Sequence, residues 1–180
     1  MIVCGIDLSE RMPGLVLVRI DEGKLGRTRK LLNQAAPQFP QGTSHKEITD
    51  GILVWVNQKV KYPVERCRSA PFTKKTVRPP CLVGVEFPIQ GGHGNARTYG
   101  NHMALGGILE YRLQQGGYKI VRVHPSETKK ALTGDGRAGK DEMVQAARQK
   151  YRGVGGNNKR EREAIADAIG VAEAAYILRD

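Results

Sequence analysis

The chain has 180 residues, with 29 Lys and Arg against 18 Asp and Glu, a formal net charge of +11 and 39% hydrophobic residues. At roughly 150 residues per domain, this length predicts one domain over residues 1–180 that buries a core without metal or disulfide support. The apolar share and a mean hydropathy of −0.44 exclude disordered, collagen-like and membrane classes, and Cys4, Cys67 and Cys81, without a Cys-x-x-Cys pair, exclude a disulfide framework.

Ile2 to Asp7 and Gly14 to Ile20 are apolar runs without helical spacing, joined by turn chemistry from Ser9 to Pro13, which predicts a strand pair. A weaker strand is expected over Thr28 to Leu32. Ser44, three residues before Glu47, forms a capping-box pattern, and Ile48, Ile52, Val56 and Val60 then recur at helical spacing. Lys61 to Pro80 reads as a long basic loop with Glu65 its only acid. Cys81 to Phe87 is a strand stopped by Pro88, and Gly91, Gly92 and Gly94 mark a loop. A helix over Thr98 to Gln115 ends at Gly116-Gly117, and Tyr118 to Val123 alternates as a strand. Helices follow at Ser126 to Leu132, Lys140 to Tyr151 and Arg160 to Leu178, with a Gly-rich turn from Gly134 to Gly139. The order predicts an α/β fold with a mixed sheet of about five strands flanked by helices.

Acids are few, so their placement is informative. Asp7 and Glu86 end apolar strands, where an unpaired charge is costly. Asp167 lies in a helix too apolar for an ordinary half-wet surface, and Glu163 is one turn earlier on the same side. If these carboxylates converge, hard divalent ions such as Mg²⁺ or Mn²⁺ are the natural neutralisers. Two such ions suit phosphodiester hydrolysis, in which one activates water and the other stabilises the leaving oxygen. Taken singly, Asp7 also reads as a turn residue, Glu86 as an exposed strand end, and Glu163 as part of a solvated helix start.

A pI near 9.8 points to a polyanionic partner, usually nucleic acid, with a merely soluble basic surface as the plainer alternative. From Lys129 to Arg162, ten basic residues stand against four acids, so +6 of the +11 lies in 34 residues. Such clusters bind phosphate without reading sequence. Asp7, Glu10 and Arg11 interrupt any signal-peptide core near the start, and no run approaches the roughly 18 apolar residues a bilayer needs, so a cytoplasmic protein without a membrane partner is expected.

Gly5-Ile6-Asp7 with Arg11 and Gly14, Val85-Glu86, the segment from His124 to Gly134 running into Gly136, Ala138 and Lys140, and Ala166-Asp167-Ala168 together resemble the RuvC-type Holliday junction resolvases. The likeness spans nearly the whole chain in the family's order, and a compact, divergent member of this kind suits a phage or other mobile element. It implies an RNase H-like fold, a homodimer, and Mg²⁺-dependent paired nicking of four-way DNA junctions. By family role Asp7, Glu86 and Asp167 would be metal ligands and Lys140 a catalytic-site or phosphate-facing lysine. Lys129, Lys130, Arg137 and Phe87 are expected to join Lys140 in contacting nucleic acid. The resemblance also implies that the helix over Thr98 to Gln115 packs at the dimer interface, where Gly106 and Gly107 would allow close approach.

Two departures stand out. Bacterial members of the family usually place the remaining carboxylate or a His three residues before the last Asp, where this chain has Ala164; Glu163, four before, resembles the chloroplast branch of the resolvases. Phe87 follows the second carboxylate immediately, whereas the family's junction-opening aromatic residues come a few positions later. An RNA-processing or less selective nuclease on the same fold and a junction binder without catalysis remain open. An actin-like phosphotransferase does not fit, because Leu8-Ser9-Glu10 lacks the Gly and Thr that hold phosphate.

Overall fold

The structure, a computed structural model, describes residues 1–23, 26–60, 81–88 and 96–179. The strands are β1 (Ile2–Asp7), β2 (Gly14–Gly23), β3 (Gly26–Ala35), β4 (Cys81–Glu86) and β5 (Lys119–Val123). The helices are α1 (His45–Lys59), α2 (Ala96–Gln115), α3 (Pro125–Thr133), α4 (Lys140–Lys150) and α5 (Lys159–Ile177). The strands form one mixed sheet in the order β3-β2-β1-β4-β5. β1, β4 and β5 are parallel, and β2 and β3 are antiparallel additions to the β1 edge. The basic loop expected over Lys61 to Pro80 and the glycines at Gly91, Gly92 and Gly94 lie outside the described residues.

Helix boundaries follow local chemistry. Ser44 caps α1, accepting from the Glu47 amide at 3.3 Å while Glu47 Oε2 accepts from the Ser44 amide at 2.9 Å, as the Ser-x-x-Glu spacing predicts. α3 opens with Pro125, whose missing N–H costs nothing in the first turn, and closes at Gly134, which takes φ 91°. Asn158 caps α5, and every α5 residue from Ala164 to Tyr176 is buried.

The sheet separates two apolar cores. On one face Val3, Val16, Val18, Ile20 and Leu82 meet α5, α4 and the end of α3; on the other Cys4, Ile6, Leu15, Leu17, Val83 and Val85 meet α1 and α2. Strand parity then fixes the acids. Asp7 continues the series Val3, Gly5 toward α5, and Glu86 continues Leu82, Gly84. Both carboxylates therefore leave the sheet on the side where α5 runs.

β2 and β3 extend beyond the apolar runs that predict them. Their ladder continues through Asp21↔Thr28 and Glu22↔Arg27 to Gly23↔Gly26, past the edge of the core, where backbone pairing needs no apolar side chain. A register shift between Leu17 and Val18 accommodates one extra residue in β3. Among the described residues, no helix is long and apolar enough to cross a membrane.

Candidate active site

Asp7 and Glu86 end adjacent parallel strands, one step beyond the Ile6↔Val85 pair. α5 crosses these ends at very short range. A Cβ on Gly5 would stand 2.1 Å from the Ala168 carbonyl oxygen, and one on Gly14 would stand 1.9 Å from that of Ala164. Only glycine at these two positions lets the α5 backbone lie on the sheet, and that approach brings Asp167 to the strand ends. Asp167 is 8% exposed despite its charge.

The three carboxylates sense one another. Burial, then the charges of Glu86 and Asp167, hold the Asp7 carboxyl well above its usual range, with Lys140 acting the other way. Burial also raises Glu86, opposed by a hydrogen bond from Thr128 and reinforced by Asp167. Asp167 is raised by burial, against the pull of Lys140 and with a further push from Glu163. The Lys140 ammonium hydrogen-bonds Asp167 Oδ2. Burial works against its charge, but Asp167, Asp7 and Glu86 more than offset this and raise its pKa.

Among the described residues, no three His, Cys, Asp or Glu side chains stand at metal-ligating spacing. The carboxylates are thus within electrostatic reach of one another without being drawn to a common point. Lys140 takes up Asp167, and the Thr128 hydroxyl donates to Glu86 Oε2 at 2.7 Å. The donor set is all hard oxygen, and its mutual repulsion marks an excess of negative charge. Both properties fit a divalent cation such as Mg²⁺ or Mn²⁺.

The remaining expected site residues divide. Glu163 stands one turn before Asp167 and affects its charge, with the Lys159 ammonium at 3.8 Å. It lines a groove of about 480 Å³ between α4 and α5 with Asp141, Arg148, Lys159 and Arg162. Lys129 lies close enough to Glu86 and Asp167 to favour their charged forms. Lys130 instead lines a groove between α3 and α4 with Glu142 and Lys150, and Arg137 is exposed on the turn after α3. Phe87 is half-buried. The Arg122 guanidinium, itself bound to the Glu110 carboxylate, lies 4.9 Å from its ring centroid, and a Cβ on Gly106 would meet the ring at 2.8 Å.

Sequence pattern gives no reason to single out Thr128, Arg122 or Glu110. Thr128 is the fourth residue of a short polar helix, and its link to Glu86 joins positions 42 apart. Only the helical phase of α3, which puts Thr128 and Leu132 on one buried face, carries a signal.

A mixed sheet of this order, with helices on both faces and acids at the ends of its central parallel strands, defines an RNase H-like α/β fold. Within that class, the fold is the one seen in the RuvC Holliday junction resolvases. The chain is 22% identical to RuvC of Thermus thermophilus, with a TM-score of 0.66 over 99% of this chain and 96% of that one. Against T. thermophilus RuvC in complex with Holliday junction substrate, identity is 20% and the TM-score 0.69, covering 99% and 95%. The yeast mitochondrial Holliday junction resolvase is 11% identical, with a TM-score of 0.60 over 96% of this chain and 76% of its own. No protein-family model matches the sequence, and neither does any curated protein.

Proposed function

We propose that this protein is a one-domain, cytoplasmic, metal-dependent endonuclease that resolves four-way DNA junctions by paired symmetric nicks, leaving 5′-phosphate and 3′-hydroxyl ends. The observation that carries this reading is the placement of Asp7 and Glu86, at adjacent strand ends, within electrostatic reach of Asp167 and its partner Lys140. It occurs on a fold shared with a resolvase solved on Holliday junction substrate. Asp7, Glu86 and Asp167, with Glu163 as the fourth carboxylate, would hold two Mg²⁺ ions, or Mn²⁺ in their place. Bound there, such ions supply an activated water and a counter-charge for the leaving 3′ oxygen.

The chain's own residues do the rest. Lys140 holds positive charge over the carboxylates, where a scissile phosphate needs it. Lys129 adds charge at the rim, and the exposed Lys130 and Arg137 give phosphate contacts that position the duplex without reading its sequence. Phe87, half-buried with the Arg122 guanidinium against its ring, would contact DNA as a held side chain and not as a free wedge. The outward face of α2 carries exposed Met103, Ala104, Gly107, Ile108 and Tyr111, an apolar strip suited to a second copy of the chain. A dimer through this strip supplies two centres for two nicks.

A second reading, a junction-binding protein without catalysis, is favoured by the Lys140–Asp167 ion pair, which already provides the cluster with a cation. Replacing Asp7, Glu86 or Asp167 by its amide separates the two. The nuclease reading expects each variant to lose cleavage and keep junction affinity. Undiminished nicking by all three variants contradicts it.

A further inference from the structure

We propose that Thr128 is the positioning residue for the Glu86 carboxylate, a role resting on the nuclease reading of that carboxylate. Thr128 is 2% exposed, and its hydroxyl donates to Glu86 Oε2 at 2.7 Å. A threonine hydroxyl has one proton to give, and in a helix the nearest acceptor is the carbonyl four residues back. Thr49 uses its proton that way, donating to the His45 carbonyl at 2.6 Å, and the Thr133 hydroxyl lies 2.8 Å from the Lys129 carbonyl and 3.0 Å from that of Asp135. Thr128 forgoes the local acceptor for a carboxylate on the neighbouring sheet.

Packing leaves it little choice. Its methyl group sits in the notch above Gly170 of α5, where an added Cβ would come within 2.7 Å of Thr128 Cγ2. The methyl is thereby fixed against the helix that carries Asp167, and the hydroxyl is turned to the strand that carries Glu86. One side chain thus ties the two acid-bearing elements together and sets the direction in which Glu86 presents its second oxygen. Outer groups that hold a ligating carboxylate in this way typically contribute about 10- to 100-fold to metal affinity or activity.

Thr128→Val keeps the shape and removes the proton, and Thr128→Ser keeps the proton. Calorimetric titration of the DNA-free protein with Mn²⁺, four-way-junction binding without metal, and junction cleavage against Mg²⁺ concentration are the readouts. For Thr128→Val we expect Mn²⁺ affinity to fall and half-saturating Mg²⁺ to rise, each by ~10-fold or more, with junction affinity and folded circular dichroism retained. Thr128→Ser should recover most of the loss. Unchanged Mn²⁺ affinity and Mg²⁺ dependence in Thr128→Val, or an equal loss in Thr128→Ser, overturns the positioning role alone. A wild-type protein that neither binds Mn²⁺ nor cuts overturns the nuclease reading, and this proposal with it.

Discussion

Gly14 of β2 lies directly beneath the Ala164 carbonyl of α5, so close that a Cβ there would stand 1.9 Å from the oxygen. Gly14 is also the register partner of Asp7, so the contact that seats α5 lies beside the first carboxylate. Gly14→Ala and Gly5→Ala should each destabilise by ~3 kcal/mol or more, because backbone atoms on both sides cannot move aside as a flexible side chain would. Gly100→Ala, with nothing within 4 Å of the added Cβ, should gain ~0.5–1 kcal/mol from helix propensity alone. Urea unfolding of the three variants checks the contrast; equal effects at Gly14 and Gly100 would refute the seating of α5 on the sheet.

Burial and the charges of Glu86 and Asp167 disfavour the ionised form of Asp7, so its folded pKa lies above its unfolded value near 3.8. In acid below that value the group is neutral in both states. As pH rises through the window between the two pKa values, the unfolded chain ionises first and the folded state loses stability. Asp7→Asn should therefore melt higher than wild type at neutral pH in chelator, with the gap closing as pH falls toward 4. A lower melting temperature for Asp7→Asn at neutral pH would reverse the sign of the burden assigned to Asp7.

Glu173, 1% exposed on the far half of α5, accepts from Arg29 Nε at 2.6 Å and from the Tyr151 hydroxyl at 2.7 Å. This network fastens β3 and the end of α4 to the helix. Arg29→Met strands a buried carboxylate and should cost ~3–5 kcal/mol, whereas Tyr151→Phe removes one neutral donor and should cost ~1–2 kcal/mol. Denaturant titration distinguishes this from a surface ion pair, for which Arg29→Met would change stability by under ~1 kcal/mol.

The apolar strip on α2 predicts the assembly state. Ile108→Arg introduces a charge at an exposed position, so a monomeric fold should tolerate it within ~0.5 kcal/mol. A dimer seated there should dissociate. Sedimentation should show a dimer for wild type and a monomer for Ile108→Arg, and junction cleavage should shift from paired to single nicks. Identical sedimentation of the two proteins would remove α2 from the interface.

Much of this arrangement is legible in the sequence, for reasons that can be named. Ser44 and Glu47 specify the start of α1 by spacing alone, and the strand ends at Asp7 and Glu86 show because a charge closes an apolar run. Asp167 stands out against the apolar helix around it. The far ends of β2 and β3 are hidden because the ladder there is held by backbone pairing between polar residues. Gly5 and Gly14 look like weak points of strands until α5 is in place, and Thr128 acquires a partner only through a contact 42 residues away. Likewise nothing in the run Lys129-Lys130 tells which lysine faces the carboxylates; the helical phase of α3 decides it.

The proposed cutting of branched DNA at Asp7, Glu86 and Asp167 is directly measurable. Its most direct test is incubation of an end-labelled four-way junction and a linear duplex of the same sequence with the protein and Mg²⁺, with Asp7→Asn in parallel. Symmetric 5′-phosphorylated nicks are expected on the junction alone, lost in Asp7→Asn while the junction remains bound. Binding of the junction by wild type without cleavage in either Mg²⁺ or Mn²⁺ would contradict it.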